Sequence, residues 1–128
     1  MPPDAEPLAI LLLSGTHERA HYAFVLAAAA AALGRRVTLF ATNGGIRALL
    51  ADWSGLDDAE RDATIRSRGV AGLDELRAAA RELGVVLLAC EAGLRAEALD
   101  AAGLLPGVVV AGFATLLEAA RGGQVVTL

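Results

Sequence analysis

Five short apolar runs recur along the chain: LAILLL (Leu8–Leu13), RVTLFA (Arg36–Ala41), VVLLAC (Val85–Cys90), VVVAG (Val108–Gly112) and QVVTL (Gln124–Leu128). The first four each lead into a stretch of helical character, and the fifth ends the chain. A strand without polar alternation is covered on both faces, as in a parallel sheet. The order reads β-α-β-α-α-β-α-β-α-β, which predicts a three-layer α/β/α sandwich around a mainly parallel five-stranded sheet with right-handed crossovers. One domain over residues 1–128 is expected.

Local signals place the helices. Thr16 reads as the N-cap of a first helix, with His17 and Glu18 in its first turn, and Gly34 closes it. From Tyr22 to Leu33 this helix is apolar all round, so more than one side needs cover. The sheet supplies one side. The other either meets a second subunit or is left to small alanines that tolerate exposure. After the second strand come the turn-formers Thr42-Asn43-Gly44-Gly45 and a short helical piece, IRALLADW. Leu73–Leu83 is amphipathic, with Leu73, Leu76, Ala80 and Leu83 opposite Asp74, Glu75, Arg77, Arg81 and Glu82. Glu91–Ala102 and Phe113–Ala120 read as the last two helices. Residues 52–69 break the pattern with five acids and three arginines. They read as a charged surface excursion, either a solvated insertion or a lid over the site.

Composition restricts the partners. Net charge is −4 and no basic run exceeds Arg35-Arg36, whereas nucleic-acid binding needs a basic face. The 29 alanines and the use of Arg without Lys read as compositional bias rather than as phosphate recognition. The longest apolar run, Tyr22–Gly34, is shorter than the roughly 20 residues of a membrane span. Residues 1–7, MPPDAEP, read as a flexible acidic tail without the positive region of a signal peptide. A single cysteine forms no internal disulfide, which fits a reducing compartment and a cytoplasmic location.

Ligands of an open parallel sheet bind beyond the carboxyl ends of its strands. Four turns lie there: Ser14-Gly15-Thr16-His17, Thr42-Asn43-Gly44-Gly45, Cys90-Glu91 and Gly112-Phe113-Ala114-Thr115. Cys90, directly before a helix, stands where unpaired amides and the helix dipole favour a thiolate. Glu91 opposes this if its charge lies close. A small hydrophobe filling the core is the other reading of the same residue. His17, after the first strand, is a candidate base or ion-pair partner for Cys90 if the two meet, or else a solvated surface group. His21 reads as buried or interfacial. A dinucleotide fingerprint, a phosphate loop, a nucleophile elbow, a metal-spaced Cys/His cluster and a C-x-x-C pair are all missing, so no cofactor and no metal are expected. Asp57-Asp58 are adjacent and make a poor acid/base pair. A nucleotide or small ligand at the Asn43-Gly44-Gly45 edge would lack a phosphate motif.

The stretch LLLSGTHERAHYAFVLAAAAAALGRRVTLFATNGGIRALL resembles the opening of DsrE/DsrF-like proteins: strand, small-residue turn, apolar helix ending in Leu-Gly, second strand and Gly-containing turn. ELGVVLLACEAGL resembles the segment where a strand of that family delivers a cysteine to a helix. GVVVAGFATLLEAARGGQVVTL resembles the family's ending. The resemblance implies a three-layer α/β/α domain that assembles into homo- or hetero-oligomers, often trimers or hexamers, with self-assembly as a homo-oligomer expected here. It further implies intracellular sulfur trafficking, with a persulfide carried on the cysteine between donor and acceptor proteins, a possible sulfurtransferase or sulfur carrier. The family's cysteine corresponds to Cys90. Where the family often has Ser, Thr or Met after that cysteine, this chain has Glu91-Ala92. Family members without a working cysteine act as assembly subunits, so a non-catalytic oligomeric subunit is the alternative reading.

Overall fold

In the computed structural model, which describes residues 6–128, five parallel strands form one sheet in the order β4-β3-β2-β1-β5. The strands are β1 (Leu8–Leu12), β2 (Val37–Ala41), β3 (Val86–Cys90), β4 (Val109–Ala111) and β5 (Gln124–Thr127). The helices are α1 (His17–Ala32), α2 (Arg61–Ser67), α3 (Leu73–Glu82), α4 (Glu91–Ala96) and α5 (Phe113–Ala119). Short 3-10 helices cover Asn43–Leu49 and Ala101–Gly103. The expected α/β/α sandwich is present, and every strand pair is parallel.

The strand order explains an unequal division of the helices. From β1 to β4 the chain steps in one direction across the sheet, and right-handed crossovers put the connecting helices on one face. Only the β4–β5 connection runs back across the sheet, so the same handedness sends α5 alone to the other face. The first face holds the main core: Ile10, Leu12, Leu39, Ala41, Leu87 and Ala89 of the sheet pack with Phe24 and the alanines of α1, Leu73 and Ala80 of α3, and Leu94 of α4. The second core is small: Ala9, Phe40, Leu88 and Cys90 beneath Leu116 and Ala120 of α5.

Thr16 caps α1 as expected, its hydroxyl accepting from the Arg19 amide at 3.3 Å. Gly34, at φ 91°, turns the chain out of α1. The sheet and α3 cover two sides of α1, while Ala29, Ala32 and Leu33 stay exposed.

Three expectations are corrected. The helix expected over Glu91–Ala102 ends at Ala96, because Ala98 takes φ 53° and Asp100 caps a separate 3-10 turn. The piece after Thr42 is a 3-10 helix rather than an α-helix. Arg77, assigned to the polar face of α3, is buried. Its Nη1 donates to the carbonyls of Ala48 and Leu50 at 3.1 and 2.6 Å, and Nη2 to that of Ala51 at 3.3 Å. Those carbonyls leave the end of the 3-10 helix without backbone partners, and a guanidinium is the group able to satisfy several at once.

Within residues 52–69, Leu56, Asp62 and Ile65 are buried and the rest is mostly exposed. The segment joins the start of α1 through backbone bonds: His17 N–H to Asp57 O at 2.8 Å and Asp57 N–H to Gly15 O at 2.9 Å. Of the tail expected over residues 1–7, residues 1–5 lie outside the described ones. Pro7 is buried, and its carbonyl accepts from the Gln124 amide at 3.1 Å.

Candidate functional site

Cys90 ends β3 and is the N-cap of α4. Its register partner in β4 is Ala111, and its side chain points to the thinly covered face, among Phe40, Leu88, Leu116 and Ala120. The thiol is 3 % exposed. One backbone donor reaches it: the Gly93 amide lies 3.4 Å from Sγ. It is the N-cap bond of α4, three residues apart in sequence, and α4 also sits very close to the turn after β2. A Cβ at Gly93 would lie 2.6 Å from the Asn43 nitrogen and 2.7 Å from Thr42 Oγ1, which leaves room for glycine alone. α4 has six residues, so its dipole is small, and the Gly93 hydrogen bond is what the helix offers the sulfur. Gly93→Ala is expected to push α4 away from Asn43, costing about 1–3 kcal/mol and loosening this bond. Urea unfolding reads the first effect, and thiol alkylation of the native protein reads the second.

Glu91 turns outward. Its carboxylate is exposed and lies 3.5 Å from Arg95 Nη2, one helical turn on. The charge that stood against a reactive Cys90 is thus shared with a guanidinium in solvent rather than aimed at the sulfur. The E-x-x-x-R spacing announces this pairing.

The Asn43-Gly44-Gly45 edge is filled by the chain itself. Gly44 and Gly15 pack backbone to backbone, a Cβ on either meeting the other at 3.0–3.1 Å.

His17 does not join Cys90. It is fully buried at the start of α1 and belongs to a different cluster. Arg61 Nη1 lies 3.3 Å from His17 Nδ1, and because guanidinium only donates, Nδ1 is the acceptor. Nε2 therefore carries the proton and donates to Asp62 Oδ1 at 2.8 Å. Asp62 also accepts from the Leu73 amide at 2.8 Å and pairs with Arg66 Nε at 3.2 Å. Burial pushes the Asp62 carboxyl up, but the bonds from His17 and Leu73 and the Arg66 charge outweigh it and hold the group below its usual 3.8. His21 stacks on His17 with centroids 5.6 Å apart and donates Nε2–H to Ala71 O at 2.8 Å. The Trp53 ring stands 5.9 Å away. Asp62 and Arg61 escape a reading of the sequence because they lie 45 and 44 residues from His17. The available signal was His17 and His21 one turn apart on the same helix face.

A parallel sheet between two helical layers, with a lone thiol at the junction of its third strand and the following helix, defines a class of small single-cysteine α/β/α proteins. Sequence places the chain more narrowly. The DsrE/DsrF-like family model matches residues 8–128, and the chain belongs to that family, as the resemblance implied. Two solved structures share its fold. The YchN protein of E. coli is 15 % identical with a TM-score of 0.72, and MTH1491 of Methanobacterium thermoautotrophicum, described as a protein of unknown function, is 18 % identical with a TM-score of 0.64. Each match covers 96 % of this chain and 99 % of the other. No curated protein matches the chain significantly.

Proposed function

We propose that this protein is a sulfur-trafficking protein that carries a persulfide on Cys90. The family is generally associated with sulfur relay. The observation that carries the reading is the placement of Cys90 at the carboxyl edge of β3 with the Gly93 amide on its sulfur. Cys90 thiolate attacks the outer sulfur of a donor persulfide, R–S–SH. A new S–S bond forms to Cys90 as the donor's S–S bond breaks, and its electron pair leaves on the donor's inner sulfur as R–S⁻. The proton stays with the transferred sulfur. An acceptor thiolate then attacks that outer sulfur and regenerates the Cys90 thiolate, so sulfur moves without net oxidation. A hydrogen bond from Gly93 favours the anionic sulfur at both ends of the cycle. A reducing compartment, the cytoplasm, suits this chemistry.

Burial sets the condition for transfer. Leu116 and Ala120 lie over the thiol's core, so donor and acceptor reach Sγ when α5 moves. Incubation with cysteine persulfide followed by intact-mass measurement is the test. Wild type is expected to gain one sulfur that dithiothreitol removes, and Cys90→Ala to gain none. Equal gain by both proteins, or none by wild type, overturns the reading.

A second reading, a non-catalytic subunit of a homo-oligomer, is favoured by the apolar surface beside α5. Val86, Val109 and Val125 of the sheet with Phe113 and Leu117 of α5 are each 45–62 % exposed on this one side. Such a patch favours burial against another chain. Light scattering is expected to show a trimer or hexamer unchanged by Cys90→Ser and broken by Leu117→Glu. A wild-type monomer at micromolar concentration counts against it.

A further inference from the structure

We propose that the outer flank of α1 is a second site, one that binds an amphipathic anion: a carboxylate or phosphate head on a short apolar body. A groove of about 590 Å³ runs there, lined by Glu18, Arg19, His21, Tyr22, Val25, Arg61 and Leu128. Its size falls within the range of small-molecule sites, roughly 300–1,000 Å³.

The charges in the groove are unbalanced in a chain of net charge −4. Two guanidiniums face one carboxylate, that of Glu18. Among the described residues six arginines have no ion-pair partner, Arg19, Arg35, Arg36, Arg61, Arg68 and Arg81, and of these Arg19 and Arg61 line this one groove. Arg61 is also positioned. It is half-buried, and Nη1 is held at 3.3 Å by the unprotonated Nδ1 of His17, which Asp62 orients from the other side. A neutral imidazole fixes the guanidinium without cancelling its charge, since the Asp62 carboxylate is spent on His17, Leu73 and Arg66. The result is a pre-set donor fork with its remaining N–H groups available, the geometry that recognises carboxylate or phosphate. Arg19 adds a second, movable cation. Tyr22, largely exposed, and Val25 give the body of the ligand an apolar wall. Cys90 lies on the opposite face of the sheet, so this site is independent of the sulfur reading.

The test is an NMR titration of ¹⁵N-labelled protein with phenyl phosphate, phenylacetate, inorganic phosphate and benzyl alcohol. Saturable shifts are expected at Tyr22, Val25 and the Arg61 side chain with phenyl phosphate, phenylacetate or both, and the stronger of the two names the head group. Arg61→Gln is expected to weaken binding about tenfold or more, the worth of a charge-assisted hydrogen bond. Arg19→Gln, whose side chain makes no hydrogen bond in the fold, is expected to weaken it without affecting folding. Arg68→Gln, outside the groove, is expected to leave it unchanged. No saturable shift up to about 10 mM, binding by benzyl alcohol as tight as by the anions, or inorganic phosphate matching phenyl phosphate would each overturn the proposal. So would an Arg19→Gln protein that binds like wild type.

Discussion

Asp62→Ala is expected to lower the unfolding free energy by about 3–5 kcal/mol, measured by urea denaturation at neutral pH. The carboxylate is buried and satisfies the His17 Nε2–H and the Leu73 amide, one at the start of α1 and the other at the start of α3. Its removal leaves two donors without partners in a dry place, each worth about 1–3 kcal/mol. Asp62→Asn keeps the shape and one acceptor oxygen, so a smaller loss is expected.

The same carboxyl makes stability depend on acid. Its folded-state pKa lies below the ordinary 3.8. The native state therefore favours the ionised form, and that contribution is complete above the unfolded pKa of about 4. It is lost as pH falls through the lower, folded value. The gap between wild type and Asp62→Ala is thus expected to shrink as pH falls below about 4. A gap that persists undiminished at about pH 3 would mean that packing, not the carboxylate, carries the effect.

Leu116→Ala is expected to cost about 2–5 kcal/mol and to open Cys90 to reagents. Leu116 is fully buried, and it and Ala120 anchor α5 over the thiol, with the Phe113 ring edge-on to Phe40 at 5.0 Å. α5 has seven residues and, among the described residues, is the one helix over its sheet face, so the lost contacts fall on local opening of this helix before they fall on the whole fold. Alkylation of Cys90 in the native protein should then quicken about tenfold for each 1.4 kcal/mol that opening becomes easier. Leu12→Ala, on the opposite face, should lose comparable global stability without that local gain. An unchanged alkylation rate in Leu116→Ala would show that the thiol is reached by a route that bypasses α5.

Local sequence signals locate the strands well because burial on both faces removes polar residues from them, and Gly34 and Thr16 mark the ends of α1 because their backbone roles are local. The place of Cys90 is legible for the same reason: the last apolar residue of a strand that precedes a helix lies at the sheet's carboxyl edge. Arg77 is not legible. Periodicity puts it on the polar side of α3, and only the fold shows that this side meets the end of a 3-10 helix in need of donors. The short α4 is hidden likewise, because alanines continue the helical pattern past the residue where Ala98 reverses its φ.

The sequence by itself determined the layered parallel fold, the family and the edge position of its one cysteine, since these follow from patterns within a few residues of one another. Tertiary structure alone decided that Cys90 lies buried under α5, that Glu91 turns to Arg95, and that His17 belongs with Asp62 and Arg61 rather than with the thiol. The reason is the direction of the crossovers: one run of steps across the sheet gathers α1 to α4 on the face of His17, and the single return step leaves Cys90 beneath the one helix that the described residues place on the other.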